Sequence, residues 1–157
     1  MTTSRDGGSL SLIHISHVLD VGTGSGYQAA VLAAMGMRVT SVERDPDLAA
    51  RAAALLTDLG ISVHALVADG GEGYPPDGPY AGIVVAAAAP DVPGPLLEQL
   101  TDGGRLVLPI GPRDRQELTV VVREDSRFVR RALEPCVFVP LLGRYGQPPD
   151  PTDDRDR

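Results

Sequence analysis

Several residue types are rare or missing in this chain. Its 157 residues include one cysteine, four tyrosines, two phenylalanines and no tryptophan, and all 14 basic residues are arginine. One cysteine excludes an internal disulfide and a cysteine-rich metal site. A formal charge of −7 with no lysine argues against binding to the nucleic-acid backbone, and the scarcity of aromatic residues argues against a base-stacking platform.

Long apolar runs are also missing. No run approaches the ~20 residues that cross a bilayer, and the N-terminus lacks the basic, apolar and small-residue regions of a secretory signal. We therefore expect a cytoplasmic protein that contacts neither membrane nor nucleic acid. Four arginines cluster late in the chain, but Glu124 and Asp125 lie among them, which favours a solvated hairpin. The length predicts one domain.

From residue 17 onward, short apolar runs alternate with helical stretches. This order is typical of an α/β fold with a mainly parallel sheet covered by helices on both faces. Asp45, Pro46 and Gly60 fit the cap, first position and stop of one helix. Residues 80–90 are predicted to form a strand buried on both faces, and the last two strands are predicted to form an antiparallel edge of the sheet. The strands are expected at 17–21, 38–43, 62–69, 80–90, 103–111, 116–124 and 128–142, and the helices at 26–36, 45–60 and 92–100.

A glycine-rich turn, DVGTGSGYQ, follows the first predicted strand and opens the first helix. Its glycines, Gly22, Gly24 and Gly26, let the backbone turn tightly and approach a ligand. In an open α/β sheet, ligands bind at the carboxyl ends of the strands. Glu43 and Asp69 follow the next two strands, where a carboxylate can accept ribose hydroxyls or face an adenine edge. The combination predicts an adenosine ligand.

The spacing of the turn discriminates between adenosine cofactors. The dinucleotide pattern is G-x-G-x-x-G, whereas this chain has G-x-G-x-G with Tyr27 where the third glycine would fall. Asp20 precedes the turn, and its carboxylate would repel a pyrophosphate but attract an ammonium or a sulfonium. The turn therefore favours S-adenosylmethionine over NAD. A tight turn with ordinary capping acids is the remaining alternative.

Five stretches resemble protein-L-isoaspartate O-methyltransferases, in order along the chain: VLDVGTGSGYQAAVLA, VTSVERDPDLAARAAALL, VADGGEGYPPDGPYAGIVVAAAAPDVP, LTDGGRLVLPIG and FVPLLG. The resemblance implies a Rossmann-like class I methyltransferase fold that binds S-adenosyl-L-methionine. It implies that Glu43 holds the ribose and that Asp69 and Gly70 border the adenine. The catalytic residues stay unknown. No metal site is expected, because no Asp, Glu or Cys lies at ligand spacing from His14 and His17. The residues implied around the methionyl part of the cofactor are Asp20, Gly22, Thr23, Gly24, Ser25, Gly26 and Tyr27.

The activity that the resemblance implies is methyl transfer to the free carboxylate of L-isoaspartyl residues in damaged proteins. The implied partners are isoaspartyl proteins or peptides, with the enzyme as a monomer. Two alternatives stay open: a non-catalytic fragment that binds the cofactor, and a methyltransferase for another substrate. Ala81 departs from the family pattern, which usually has Asp there, and Thr or Gly is common near Ala86.

The front of the chain departs further from the family. The family has a T-I-S-Q-P-type stretch before the glycine turn that helps to form the substrate site, and no such stretch is present here. Residues 10–16, LSLIHIS, can be encoded by a transposon-end adapter used in sequencing libraries, so we interpret them as foreign sequence. The expected organisation is a non-family segment over 1–16, a methyltransferase core over 17–145 and a disordered tail over 146–157. Activity is expected to be impaired.

Overall fold

The protein contains one seven-stranded sheet. A computed structural model describes residues 15–148. The strands are β1 His17–Val21, β2 Arg38–Glu43, β3 His64–Val67, β4 Tyr80–Val85, β5 Leu100–Ile110, β6 Gln116–Glu124 and β7 Arg127–Cys136. They lie in the sheet in the order β3-β2-β1-β4-β5-β6-β7. The five strands from β3 to β5 in this order are parallel, and β6 and β7 are antiparallel to their neighbours. The mainly parallel sheet with an antiparallel C-terminal edge is confirmed.

Three α-helices and two 3-10 turns connect the parallel strands. The helices are α1 Tyr27–Ala34, α2 Pro46–Asp58 and α3 Gly94–Glu98, and the 3-10 turns are Gly70–Glu72 and Pro75–Asp77. Helix α1 contacts β2, α2 contacts β2 and β3, and α3 contacts β5. Helix α1 packs on the face of the sheet that carries Val18, and α3 packs on the opposite face, which carries Leu19. Helices on both faces are thereby confirmed.

Local sequence fixes the ends of α2. The Asp45 side chain accepts hydrogen bonds from the backbone N–H groups of Asp47 (2.8 Å) and Leu48 (3.1 Å), which would otherwise lack partners. Pro46 occupies the first turn, where its missing N–H costs nothing. Gly60 follows the helix with φ +67, a conformation that favours glycine. All three predictions for this helix are confirmed.

Alternation along β1 divides the core between the two faces of the sheet. Leu19 and Val21 belong to the larger apolar cluster, which also contains Leu96 of α3. Val18 packs with Ala29 of α1 in a smaller cluster on the opposite face. Successive side chains of a strand point to opposite faces, so Asp20 shares the α1 face with Val18. An acidic side chain is therefore placed between a helix and the sheet, at the carboxyl end of β1.

Several boundary predictions are wrong. Strand β3 is shorter than the predicted 62–69, β5 begins at Leu100 rather than at 103, and the strand predicted over 128–142 ends at Cys136. The strand predicted over 80–90 ends at Val85, and Ala81 is exposed, so the strand is not buried on both faces. The apolar residues that follow are buried in a loop, where Ala88 and Ala89 form isolated bridges to Pro140 and Ile110. The tail predicted from residue 146 begins too early, because Gln147 is buried and its side-chain amide donates to the Gly111 carbonyl (2.6 Å).

The hypothesis about the front segment is mostly beyond the described residues. Only the last two residues of the 1–16 segment are described, and the Ser16 carbonyl accepts a hydrogen bond from the Arg38 N–H (3.0 Å). The foreign origin of residues 10–16 stays a prediction. Within residues 15–148, no helix has the length and apolar character to span a membrane.

Candidate functional site

The glycine turn joins β1 to α1 in a left-handed path. Gly22, Gly24 and Gly26 have φ values of +92, +52 and +84, which residues with a Cβ rarely adopt. A Cβ built on Gly24 would meet only the Gly22 carbonyl oxygen, at 3.9 Å, so it would point into open space. The turn therefore leaves room beside its backbone at the carboxyl end of β1, where ligands of open α/β sheets bind.

Asp20 lies beneath this turn and is fully buried. Its Oδ1 accepts a hydrogen bond from Gln28 Nε2 (2.6 Å), and its Oδ2 accepts one from Ser41 Oγ (2.7 Å). Ser41 in turn bonds to Thr23 Oγ1 in the glycine turn (2.6 Å). The carboxylate thus ties the turn, α1 and β2 together. Burial raises the pKa of Asp20, and the two hydrogen bonds oppose that shift.

Glu43 ends β2 beside the turn. Its Oε2 accepts from the Gly24 N–H (2.9 Å) and its Oε1 from the Asp45 N–H (3.1 Å). Each carboxylate oxygen can accept more than one hydrogen bond, so both retain capacity for a ligand hydroxyl. Glu43 is only half-buried, which leaves part of the carboxylate open to solvent. The structure therefore brings Glu43 and Gly24 together, as expected if both contact the same adenosine ligand.

Asp69 and Gly70 form the third part of the candidate site, after β3. Asp69 Oδ1 accepts from the Gly71 N–H (3.0 Å), and Oδ2 accepts from the Arg144 N–H (2.9 Å). Gly70 is buried, and a Cβ there would overlap the Val21 side chain. The absence of a side chain at Gly70 therefore permits the 3-10 turn to lie against the end of β1.

The other predicted residues of the turn differ in exposure. Thr23 is buried by its contact with Ser41, and Ser25 is exposed. Tyr27 begins α1 with 77% of its surface exposed, so it has space to contact a ligand or a substrate. The roles assigned to individual residues stay predictions.

Sequence reasoning did not identify Gln28 and Ser41, the two donors to Asp20. A signal was present, because Ser41 is a polar residue inside an apolar strand and pairs directly with Asp20 in the β1–β2 register. The contact between Asp69 and Arg144 was also missed. Those residues are 75 positions apart, and no local pattern links them.

A second polar cluster lies at the opposite, amino-terminal end of the strands. Asp77 Oδ2 accepts from Thr40 Oγ1 (2.7 Å) and from His64 Nδ1 (2.7 Å), and His17 Nε2 donates to Thr40 Oγ1 (3.0 Å). The hydrogen bond from His64 is the largest cause of a lowered pKa for Asp77. Both described histidines therefore lie away from the glycine turn. This cluster ties the second 3-10 turn to β2 and β3.

Comparison with solved structures defines the class of protein. The chain superposes on a solved protein-L-isoaspartate O-methyltransferase with a TM-score of 0.74 and 31% identity, covering 79% of this chain and 41% of that one. A Plasmodium falciparum structure described as a putative member of the same group, in complex with S-adenosyl-L-homocysteine, matches with a TM-score of 0.67 and 24% identity. It covers 80% of this chain and 65% of the other. The fold is that of a Rossmann-like class I methyltransferase.

Sequence comparison gives the family. The model of the protein-L-isoaspartate(D-aspartate) O-methyltransferase family matches residues 7–146. The protein of that name from Methanoculleus marisnigri is 50% identical over 130 residues, which cover 82% of this chain and 59% of the relative. The chain belongs to the protein-L-isoaspartate(D-aspartate) O-methyltransferase family. It spans about three fifths of the length of the curated relatives that it matches.

Proposed function

We propose that the chain binds S-adenosyl-L-methionine at the glycine turn and transfers its methyl group to the free carboxylate of L-isoaspartyl residues in damaged proteins. The observation that carries the proposal is the arrangement of three features at adjacent strand ends: the open turn at Gly24, the half-buried Glu43 carboxylate and the 3-10 turn at Asp69. Family membership and the reaction named for the relatives support the same proposal.

The residues present fit an adenosyl cofactor. The space beside Gly24 would be filled by a Cβ, and Glu43 offers acceptor oxygens for the hydroxyls of a ribose. Asp69 and Gly70 would border the adenine, and the residues from Gly22 to Tyr27 would hold the methionyl part. Buried Asp20 would act on the cationic cofactor through its charge, because both of its oxygens already have hydrogen-bond partners.

The reaction would need little acid–base help from the chain. The bound cofactor supplies a methyl group already activated by the sulfonium. An acceptor carboxylate is ionised at neutral pH, so no general base is required. In agreement, both described histidines lie at the amino ends of the strands, away from the turn. The contribution of the chain would be to align the reacting groups and to exclude water.

We further propose that the chain acts as a cytoplasmic monomer on isoaspartyl proteins or peptides, without binding nucleic acid or membrane. The formal charge of −7, with arginines interspersed among acids, supports this proposal. The molar mass from analytical ultracentrifugation would test whether the chain is a monomer.

The decisive experiment measures transfer of labelled methyl from S-adenosylmethionine to an isoaspartyl peptide and to its aspartyl twin. We expect labelling of the isoaspartyl peptide alone, and loss of labelling in Glu43→Ala. Binding of S-adenosylhomocysteine without any turnover would instead support the non-catalytic fragment. Equal labelling of both peptides would contradict the proposed substrate and favour a methyltransferase for another acceptor.

A further inference from the structure

Four aspartates of this chain are each followed directly by glycine, and the chain contains no asparagine. In aspartate and asparagine, the backbone nitrogen of the next residue can attack the side-chain carbonyl carbon and close a five-membered succinimide ring. Glycine hinders this attack least, because it lacks a Cβ and its backbone adopts most conformations. The four aspartates are Asp6, Asp69, Asp77 and Asp102, and Asp6 lies outside the described residues. The other three have the same neighbour, so their surroundings in the fold determine which of them reacts.

Hydrogen bonds restrain Asp69. Its Oδ1 accepts from the Gly71 N–H (3.0 Å), and its Oδ2 accepts from the Arg144 N–H (2.9 Å). Gly70, whose nitrogen would attack, is buried in the 3-10 turn, where a Cβ would overlap the Val21 side chain. Ring closure at Asp69 therefore requires this turn to open.

Asp77 is restrained at the amino-terminal end of the strands. Its Oδ2 accepts from Thr40 Oγ1 and from His64 Nδ1, both at 2.7 Å. The attacking nitrogen is also engaged, because the Gly78 N–H donates to the Pro75 carbonyl (3.0 Å). Both reacting groups of this pair therefore have partners that must be released first.

Residues 101–104 of β5 form a bulge in the sheet. Leu100 pairs with Tyr80, and Arg105 pairs with Gly82. The four residues of β5 in between thus lie opposite one residue of β4. Pairing between β5 and β6 begins only at Arg105. In the register of the described strands, residues 101–104 therefore have no partner on either side.

Asp102 and Gly103 are both exposed in this bulge. A Cβ built on Gly103 would meet no atom within 4 Å, so the approach to its backbone is open. Asp102 has one restraint, an exposed hydrogen bond from the Asp125 N–H to its Oδ1 (2.7 Å). Among residues 15–148, no donor contacts its Oδ2. Asp102 is therefore the least restrained of the three described aspartates that precede glycine.

We propose that Asp102 is the site at which this chain forms isoaspartate. The Gly103 nitrogen attacks Cγ of the protonated carboxyl group, an N–C bond forms, and the hydroxyl group leaves with the amide proton as water. A second water then opens the succinimide. Attack at Cγ restores aspartate, whereas attack at the main-chain carbonyl carbon leaves the chain running through Cβ and Cγ, with a free α-carboxylate. Neither step needs an enzyme or a reactant other than water, so the inference does not depend on the proposed function.

The bulge can accommodate this product. An isoaspartyl linkage adds one carbon atom to the main chain, which would displace the register of a paired strand. Residues 101–104 have no register to keep, so the pairs at Leu100 and Arg105 can remain. The product is an L-isoaspartyl carboxylate on an exposed segment, which is the chemical class of acceptor proposed above for the methyl group.

Peptide mapping of the protein during storage tests the site. A glutamyl endopeptidase places each aspartate in a separate peptide: 44–72, 73–98 and 99–117. The folded protein is kept at neutral pH and sampled over time, and electron-transfer fragmentation distinguishes isoaspartate from aspartate. We expect isoaspartate to accumulate at Asp102 at least about tenfold faster than at Asp69 or Asp77, because each of those must first lose a hydrogen bond to a charged group.

Two controls separate the effect of the bulge from that of the local sequence. Asp102→Glu keeps the charge, but ring closure would then form a less favourable six-membered ring. Isoaspartate should therefore disappear from peptide 99–117, while the other two peptides keep their parental rates. In urea, all three aspartates lose their restraints, so the tenfold difference should disappear. Circular dichroism of the stored protein and of Asp102→Glu confirms that the first two comparisons are made on folded chains.

Three results would overturn the inference. Equal rates at the three aspartates of the folded protein would show that the bulge does not promote the reaction. Isoaspartate that persists in peptide 99–117 of Asp102→Glu would assign the modification to Asp114, the other aspartate of that peptide. A preference for Asp102 that persists in urea would assign the selectivity to the local sequence rather than to the fold.

Discussion

Replacing Asp20 separates its role in the fold from its role in binding. Asp20→Ala leaves Gln28 Nε2 and Ser41 Oγ without their acceptor in a buried site. Each of these bonds to a charged group contributes about 1.5–3 kcal/mol. The substitution also removes the desolvation cost of burying the Asp20 carboxylate, which offsets part of this loss. We expect the free energy of unfolding to fall by about 2–4 kcal/mol.

Asp20→Asn should behave differently, because the network can reverse its direction. The asparagine oxygen still accepts from Gln28, and its amide can donate to Ser41. Ser41 can then donate to Thr23, since either hydroxyl of that pair can be the donor. We expect the free energy of unfolding of Asp20→Asn at pH 7 to lie within about 1 kcal/mol of the parental value. Affinity for S-adenosylmethionine should nevertheless fall by about tenfold, because the negative charge beneath the turn is lost.

The pH dependence gives an independent check on Asp20. Its raised pKa means that the folded state binds the proton more tightly than the unfolded chain does. The contribution of Asp20 to stability is therefore greatest at low pH and falls as pH rises from its unfolded pKa through its folded pKa. The stability of Asp20→Asn relative to the parent should rise over the same window. Urea denaturation across acidic to neutral pH measures this difference. The control is Asp91→Ala, which removes an exposed ion pair with Arg130. An Asp20→Ala variant as stable as the parent would refute the reasoning.

Three further variants test the two ends of the sheet. Glu43→Ala should weaken S-adenosylhomocysteine by about tenfold or more, and unchanged affinity by calorimetry would remove Glu43 from the site. Gly24→Val should abolish binding of S-adenosylhomocysteine, because a branched side chain would fill the open space beside Gly24, whose φ is +52. An affinity equal to that of the parent would show that the glycine turn does not bind the cofactor. Asp77→Asn should lower stability at neutral pH by about 1–3 kcal/mol. Because the pKa of Asp77 is lowered, this deficit should disappear as pH falls through the folded pKa, and a pH-independent deficit in urea melts would contradict it.

Elements with local signals were predicted well from the sequence. Strands β1, β2 and β6 have the predicted ends, because apolar runs stop at glycine or charged residues. Helix α2 was defined by Asp45, Pro46 and Gly60, whose effects depend on the backbone within a few residues. The glycine turn, with acids after the next two strands, likewise follows from short patterns and the topology of a parallel sheet.

Features that depend on distant partners were not predicted. The run Ala86–Ala89 is apolar enough to resemble a strand, but Ala88 and Ala89 obtain their hydrogen bonds from Val139, Leu141 and the end of β5. Gln147 is polar and lies in a proline-rich stretch, and it is buried because Gly111 provides an acceptor 36 residues away. The composition of a segment indicates whether it can be buried. Its hydrogen-bond partners, when they are distant in the sequence, are determined only by the assembled sheet.

The three acids of the candidate site have structural roles besides the ligand-binding roles proposed for them. Each already accepts a hydrogen bond from the chain: Asp20 from Gln28, Glu43 from the Gly24 N–H and Asp69 from the Arg144 N–H. These bonds orient the carboxylates before a ligand arrives, which lowers the ordering cost of binding. They also mean that removing an acid disturbs the backbone that forms the site. A lost affinity can therefore be assigned to the lost charge only when a variant such as Asp20→Asn preserves the hydrogen bonds and changes the charge alone.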